Sequence, residues 1–504
     1  MIPMLKIWAA KQFAQYIHRK NQAWMQQPVA AQQKVFDHLI SKAANTVFGK
    51  DHDFDQIHSH ADFVAKVPLR DYEDLNGYIN QVVRGGESIL WPGIPKYFAK
   101  TSGTTSGAKY IPITAESMPF HIQAARDALL AYIYATGNAQ FVQGKMIFLQ
   151  GSPVLETKNN IQVGRLSGIV AHYVPKYLQR NRMPSWETNC IEDWEQKVMA
   201  IVHETRNENM SLISGIPAWV QMYFEKLAET TGQKVGDLFP NFSLLVYGGV
   251  NYEPYRAKME QLIGRSVPGI ELFPASEGFF AYQDQPDNRG LLLLVNAGIF
   301  YEFIPMTEYG RDFPTRLTIG QVACGVNYAL VISTNAGLWG YVIGDTVSFT
   351  SLAPYRIIVT GRIKHFISAF GEHVIGNEVE VALREAVAAH PCQISEFTVA
   401  PQVSPDQGLP FHEWLIEFEQ EPANMEAFAL ALDASLCRQN TYYNDLIVGQ
   451  VLRTAIVTPL PKNTFTLYMK SQGKLGGQNK VPRLSNDRKM ADLLRVISIE
   501  VTES

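Results

Sequence analysis

The chain has 504 residues, 46% of them hydrophobic and 18% charged, with a formal net charge of -4. That length accommodates two or three domains around a large core, and the charge balance gives no reason to expect nucleic acid or an anionic membrane as partner. The cysteines Cys190, Cys324, Cys392 and Cys437 form no C-x-x-C pair, which argues against a zinc ribbon or a disulfide framework and suits a reducing, cytoplasmic setting.

Residues 1–20 read as an amphipathic helix rather than a secretory signal, because Lys6 and Lys11 break the apolar run. Val35, Phe36, Leu39, Ile40, Ala43 and Val47 then recur at helical spacing, with Gly49 as the expected stop. Residues 51–62, DHDFDQIHSHAD, hold His52, His58 and His60 among four aspartates. Their spacing matches no standard metal pattern, and an exposed polar loop has the same composition. Further helices are predicted over 119–136, ended by Gly137, and over 217–231, with Pro217 in the first turn and Gly232 after the end. Between them lie short apolar runs at 242–247, 291–295, 328–333 and 356–360. The apolar stretch 291–304 is too short to span a bilayer and contains Asn296 and Glu302. This alternation predicts an α/β fold of packed sheets and helices over residues 1–361. Past Gly361 the texture changes to a helix at 377–389, strands at 396–400 and 413–418, a helix near 424–438 and a strand near 450–458. Residues 362–504 therefore read as a smaller α+β domain, with the boundary near Gly361 and Lys364. No repeat and no heptad run occurs, which favours a monomer.

The segment TSGTTSGAK, residues 101–109, concentrates chemistry. Ser102, Thr104, Thr105 and Ser106 supply hydroxyl donors. Gly103 and Gly107 let backbone N–H groups converge, and Lys109 adds a mobile positive charge. A polyphosphate cradle needs these groups; a flexible turn has the same composition. It is not a Walker A loop, because Ala108 separates Gly107 from the lysine and Tyr110 follows it. Four more segments follow in order. Gly248, Gly249 and Val250 end an apolar strand, where paired glycines would admit a flat ring; a tight turn is the plain alternative. Phe273-Pro-Ala-Ser276-Glu277-Gly278 offers an aromatic face, a hydroxyl and a carboxylate suited to Mg²⁺; the alternative is a surface glutamate in a turn. Tyr341-Val-Ile-Gly344-Asp345 would set an aspartate against ribose hydroxyls, or form an Asx turn. Gly361-Arg362-Ile363-Lys364 supplies an anion clamp and a hinge, or a solvated charged turn.

In this order and spacing the segments resemble the adenylate-forming superfamily, whose pattern is a Ser/Thr/Gly-rich loop ending in lysine, an aromatic-x-x-[Ser/Thr]-Glu, a Tyr-x-x-Gly-Asp and a hinge Gly-Arg-x-[Lys/Asp]. Within it the chain is most similar to the auxin-responsive acyl-acid amido synthetases. The cradle reads Ser-Gly-Thr-Thr-Ser-Gly, residues 300–305 read FYEFIP, and residues 478–483 read QNKVPR, while the P-x-T-x-x-G-K ending of other adenylate formers is absent.

The resemblance implies a large N-terminal domain and a small mobile C-terminal domain that closes over the site. It implies two half-reactions: a carboxylic acid attacks Mg·ATP to give acyl-AMP and pyrophosphate, and an amine, usually of an amino acid, then takes the acyl group. The cradle with Lys109 would hold the β and γ phosphates, Glu277 the Mg²⁺, and Ser276 the α-phosphate. Lys480 would neutralise the phosphate and carboxylate as they meet. Tyr341 stands in the ribose motif, whose Asp345 would bind ribose together with Arg362. Phe273 and Gly248, Gly249 and Val250 would flank adenine, and Lys364 would be the hinge. His172, Tyr173, Val174, Ile216 and Trp219 are candidate walls of the acyl pocket, although Trp219 equally suits a helix core. The base that deprotonates the amine is open among His172, His365 and His373. An acyl-CoA ligase shares the first half-reaction, and a non-catalytic nucleotide-binding module shares the fold.

Overall fold

Proline at the head and glycine just past the end delimit the middle helices. Helix Pro217–Thr231 ends where Gly232 turns left-handed, and helix Met118–Thr136 ends the same way at Gly137. The N-terminal amphipathic helix runs over Pro3–Gln26. The next helix departs from the periodic reading. It covers Pro28–Ala43 and breaks, and a new short helix starts at Val47. The cause is Thr46, whose side chain accepts from the Gly49 N–H and caps the second helix. Gly49 is therefore no stop. A Cβ there would lie 2.1 Å from the Ala43 carbonyl oxygen, so glycine is what lets the chain fold back this tightly.

The computed structural model describes residues 3–104, 107–174, 179–191, 193–249, 252–363, 366–367, 374–403, 405, 407–449, 451–475, 480–485 and 487–503. Side chains are excepted at 3, 101–104, 107–108, 194, 218, 254, 362, 366, 441–442, 445 and 502–503. Among the described residues no helix is long and apolar enough to cross a membrane.

Contacts divide the chain into two compact units, residues 1–249 with 266–358, and residues 250–265 with 359–504. An 11-stranded mixed sheet dominates the first. Its parallel part runs, in spatial order, through Arg182–Met183, Lys145–Phe148, Met210–Gly215, Leu244–Gly248 and Gly269–Ala275. Strands Gly278–Tyr282, Leu291–Leu293, Tyr355–Arg362, Tyr341–Leu352, Asn327–Thr334 and Ile299–Pro305 continue the sheet. A four-stranded sheet is built on the hairpin Tyr97–Thr104 and Gly107–Ile113. Buried residues from both sheets, among them Phe98, Ile111, Phe280, Phe300 and Trp339, join one apolar cluster, while Leu212, Leu244, Val246 and Ile270 of the parallel strands belong to a second.

The second unit holds a three-stranded sheet, Gln393–Gln402, Phe411–Gln420 and Ile456–Leu460. Helices Gly376–Ala389 and Met425–Gln439 bury Val379, Leu383, Phe428 and Leu432 in the core they share with it. Helix Glu253–Ile263 belongs to this unit too, although sequence order sets it between two strands of the large sheet. The molecule is an α/β protein with a smaller α+β unit.

Candidate functional site

The glycine- and hydroxyl-rich segment forms a hairpin. Thr101 pairs with Lys109 and Thr104 with Gly107, so Ser102, Gly103 and Thr104 run up one strand. Thr105 and Ser106 lie outside the described residues, as do the side chains of Ser102 and Thr104. Lys109 projects beside Tyr72, its Nζ 5.5 Å from the ring centroid. The next residue, Tyr110, donates its backbone N–H to the Tyr72 hydroxyl at 2.8 Å. Tyr72 itself opens helix Tyr72–Val83, which Asp71 and Asp74 cap reciprocally. A residue nearly forty positions upstream is thus fastened to the base of the lysine.

Ser276 and Glu277 form the two-residue connection between the antiparallel strands Gly269–Ala275 and Gly278–Tyr282. Gly278 lets this tip settle onto the sheet, since a Cβ there would meet the Ile299 side chain at 2.4 Å. The Glu277 carboxylate accepts a hydrogen bond from the Tyr341 hydroxyl. Burial, then the charges of Glu277 and Asp71, hold the Tyr341 phenol well above its ordinary pKa. Tyr341 is therefore a neutral donor to Glu277 at neutral pH.

Asp345 is not at a strand end, as expected, but inside strand Tyr341–Leu352. The pairing with strand Asn327–Thr334 slips there: Val342 faces Val331 and Thr346 faces Ala329, leaving residues 343–345 opposite Leu330 alone. Gly344 has a φ of 90° in this bulge, and Asp345 next to it is buried. Bulges of this kind re-aim a side chain. The strand is also held by Arg70, whose N–H donates to the Gly340 carbonyl (3.0 Å) and whose carbonyl accepts from Val342 N–H (2.8 Å).

The remaining first-unit candidates gather at the carboxyl ends of the parallel strands, where open α/β sheets bind ligands. Phe273 is buried edge-on against Phe280, with centroids 5.1 Å apart. Gly248 is required by close packing: a Cβ there would sit 2.3 Å from the Leu272 carbonyl oxygen of the neighbouring strand. Gly249 follows with a φ of 85°, and Val250 lies outside the described residues. The two proposed acyl walls flank loop 149–153. On one side the exposed His172 donates through Nε2 to the Pro153 carbonyl at 2.9 Å. On the other, Gly215 lies within 3.0 Å of Leu149 as measured from a Cβ built on it, and Ile216 and the buried Trp219 begin the following helix. Tyr173 donates its hydroxyl to Tyr97 at 3.1 Å, beside the half-buried Val174. Burial, then this hydrogen bond, pushes the Tyr97 phenol up to about 12.

Lys480 and Arg362 belong to the second unit. Lys480 is exposed, and the Arg362 side chain is outside the described residues, as are Lys364, His365 and His373. The loop after Lys480 is pinned to strand Gln393–Gln402: Thr398 Oγ1 donates to the Pro482 carbonyl (2.7 Å) and Val399 N–H to the Arg483 carbonyl (2.9 Å). Arg483 pairs with Glu396, donates to the Tyr255 hydroxyl (3.0 Å), lies 3.7 Å from Glu380 and stacks on Phe397. Burial opposes its charge, but Glu396, Tyr255 and Glu380 outweigh that and raise its pKa.

The histidine-rich stretch does not converge on a metal. His60 lies 2.8 Å from a Glu302 oxygen, and His52 lies 3.0 Å from an Arg70 nitrogen. His58 uses its backbone N–H on Asp62 at 3.1 Å. Among the described residues no group of three potential ligands could hold an ion. Reading the sequence missed Asp71, Tyr72, Arg70 and Tyr255. Only the Asp-x-x-Asp cap at residues 71–74 left a local signal; Arg70 and Tyr72 reach strand Tyr341–Leu352 and Tyr110 in the first unit, and Tyr255 reaches Arg483 in the second, by contacts far apart in the chain.

Residues 17–197 match the GH3 family N-terminal domain, residues 292–362 the GH3 family central domain and residues 377–489 the GH3 family C-terminal domain. The chain is 23% identical over 353 residues to the jasmonoyl–L-amino acid synthetase JAR4 of Nicotiana attenuata, a match covering 56% of this chain and 59% of that one. It is 20% identical over 557 residues to the indole-3-acetic acid-amido synthetase GH3.3 of Arabidopsis thaliana, covering 93% and 91%. In fold it is similar to the GH3.15 acyl acid amido synthetase, at a TM-score of 0.76 and 15% identity over 93% of both chains. A 2-hydroxyisobutyryl-CoA ligase in the postadenylation state follows at a TM-score of 0.58 and 13% identity, over 95% of this chain and 92% of that one. The three family domains in their order span more than half of the sequence, and the chain belongs to the GH3 family.

Proposed function

We propose that this protein is an ATP-dependent acyl-acid amido synthetase. It converts a small carboxylic acid to acyl-AMP and pyrophosphate, then transfers the acyl group to an amine, an amino acid by analogy with the relatives, and releases AMP. The observation that carries this reading is the Tyr341–Glu277 hydrogen bond, with Tyr72 and Lys109 alongside. It links motifs that begin far apart in the chain: the Tyr341 strand and the Glu277 turn of the 11-stranded sheet, with Tyr72 leading from Tyr341 to the Lys109 strand of the four-stranded sheet.

The first step crowds an incoming carboxylate against phosphates, so positive charge and preset donors must wait where charge develops. Lys109 and the hydroxyls of Ser102, Thr104, Thr105 and Ser106, with Gly103 and Gly107, hold the β and γ phosphates. Ser276 donates to the α-phosphate, and Lys480 neutralises it as the acid attacks. A single oriented carboxylate suits Mg²⁺, which is commonly held by one or two carboxylates plus substrate phosphates. Glu277 would hold the ion, which would supply charge neutralisation to the phosphates. Asp345 and Arg362 bind ribose; Phe273 and Gly248, Gly249 and Val250 flank adenine. His172, Tyr173, Val174, Ile216 and Trp219 line the acid. The domain of residues 362–504 turns about Lys364 between the two steps and excludes water from the acyl-adenylate.

The test is pyrophosphate release from Mg·ATP with pooled carboxylic acids, run with amino acids, with CoA, or with neither. Release stimulated by amino acids, with an amide product, is the expected result. Release stimulated only by CoA moves the protein to the ligases and overturns the second step.

A further inference from the structure

The strand Ile299–Pro305 carries a charge that the ATP reading does not use. Glu302 is fully buried, at 0% exposure. Arg316 grips it at both oxygens, Nε to Oε1 at 2.8 Å and Nη2 to Oε2 at 2.6 Å. The remaining guanidinium nitrogen, Nη1, donates to the backbone carbonyl of Val67 at 2.5 Å. The same guanidinium lies 5.3 Å over the Phe63 ring, and its Nη2 lies 3.4 Å from a Cβ built on Gly340. Gly340 in turn abuts the Pro68 carbonyl, 2.8 Å from that Cβ. Arg316 is thus wedged between the start of segment 67–72 and the start of strand Tyr341–Leu352.

Segment 67–72 leads directly into the nucleotide-site contacts. Arg70 pairs with Gly340 and Val342 through its backbone, on either side of Tyr341. Asp71 and Tyr72 both contribute to the electrostatic surroundings of the Tyr341 phenol. Tyr72 accepts from Tyr110, next to Lys109. A buried ion pair returns little stability over an apolar pair of the same size, because desolvation consumes most of the attraction. What an apolar pair cannot do is hold the Val67 carbonyl at a set distance from strand Ile299–Pro305.

We propose that Glu302, acting through Arg316, is a positioning residue for the nucleotide site: the pair fixes segment 67–72, which sets Tyr341 against Glu277 and Tyr72 beside Lys109. This rests on the ATP reading above, and it assigns a role to the FYEFIP segment. The experiment compares Arg316→Lys, Arg316→Met and the double variant Glu302→Leu/Arg316→Met with the unsubstituted protein. Thermal midpoints, Mg·ATP binding by calorimetry and amide hydrogen exchange over residues 67–72 are measured on each. Arg316→Met alone lowers the midpoint, because the buried Glu302 loses its guanidinium partner and keeps the His60 ring nitrogen at 2.8 Å in its place. The double variant regains most of that loss, yet binds Mg·ATP about tenfold more weakly, the scale of other outer partners of a site. Its amides over 67–72 exchange faster. A double variant that recovers both midpoint and ATP affinity, with unchanged exchange over 67–72, overturns the inference. If the double variant does not fold, Arg316→Lys decides: it keeps a charge on Glu302 but cannot also reach Val67, so normal ATP affinity and exchange there overturn it equally. Failure of the unsubstituted protein to bind Mg·ATP removes the ATP reading, while the exchange measurement still decides the coupling.

Discussion

The Tyr341 phenol and the His121 imidazole are both governed by burial, with opposite consequences. Tyr341 keeps its proton and serves as a fixed donor to Glu277. His121, near the start of helix Met118–Thr136, is buried, its Nδ1 has no hydrogen-bond partner among the described residues, and burial pushes its pKa down to about 4 from 6.5. The fold accepts the neutral ring, so the unfolded chain takes up the proton first. Its contribution is fully present above the unfolded value of 6.5 and is lost as pH falls from there towards about 4. The loss reaches about 3 kcal/mol at the acid end. Urea unfolding at pH 7.5 and pH 4.5 should therefore show a smaller acid loss for His121→Leu than for the unsubstituted protein; an equal loss assigns the sensitivity to other groups. Residue types and motif order alone nominated Lys109, Glu277 and Asp345 as candidates. They did not reveal Tyr72 or Tyr341 as their supports, because a tyrosine carries no sign of which buried partner it will meet.

At the scale of elements, glycines decide where strands approach and where they bend. Gly248→Ala should cost about 1–3 kcal/mol, the usual range for overpacking. The new methyl would meet the Leu272 backbone oxygen, and backbone cannot rotate aside. Chemical denaturation measures the cost; a stability within about 0.5 kcal/mol of the unsubstituted protein would mean the two strands can part freely. Helix ends marked by Pro217, Gly232 and Gly137 were readable because proline and glycine act locally. The break at residues 44–46 was not, since the apolar period runs through it and only the Thr46 cap interrupts it. The bulge at Gly344 was equally hidden: register slips belong to a pair of strands, and one strand's sequence does not contain them.

For the whole molecule, the two half-reactions assign different work to the residues after 361. Lys480→Ala should lower acyl-AMP formation by orders of magnitude with little change in ATP binding; wild-type rates would remove Lys480 from the site. Lys364→Pro should spare adenylation and impair amide formation, and equal loss of both steps would exclude a hinge there. Single-turnover measurement of pyrophosphate and amide separates the outcomes. Within the second unit, the Arg483 cluster explains why Lys480 sits in a motif ending in arginine: Arg483 anchors the loop to strand Gln393–Gln402 while Lys480 stays exposed.

The sequence by itself determined the α/β class, the change of texture after Gly361, the ends of helices Met118–Thr136 and Pro217–Thr231, and the order of motifs that resembles the family's. The first three follow from composition, periodicity and short-range turn chemistry, which act over a few residues; the last is a resemblance of motifs. Only the tertiary structure decided that Tyr341 binds Glu277, that Tyr72 stands beside Lys109, and that Glu302 grips Arg316. It alone assigned helix Glu253–Ile263 to the second unit. These contacts join residues 14 or more positions apart in the chain, 141 between Tyr255 and Glu396. Such contacts are set by sheet register and by which buried charges find partners, and no local period encodes either.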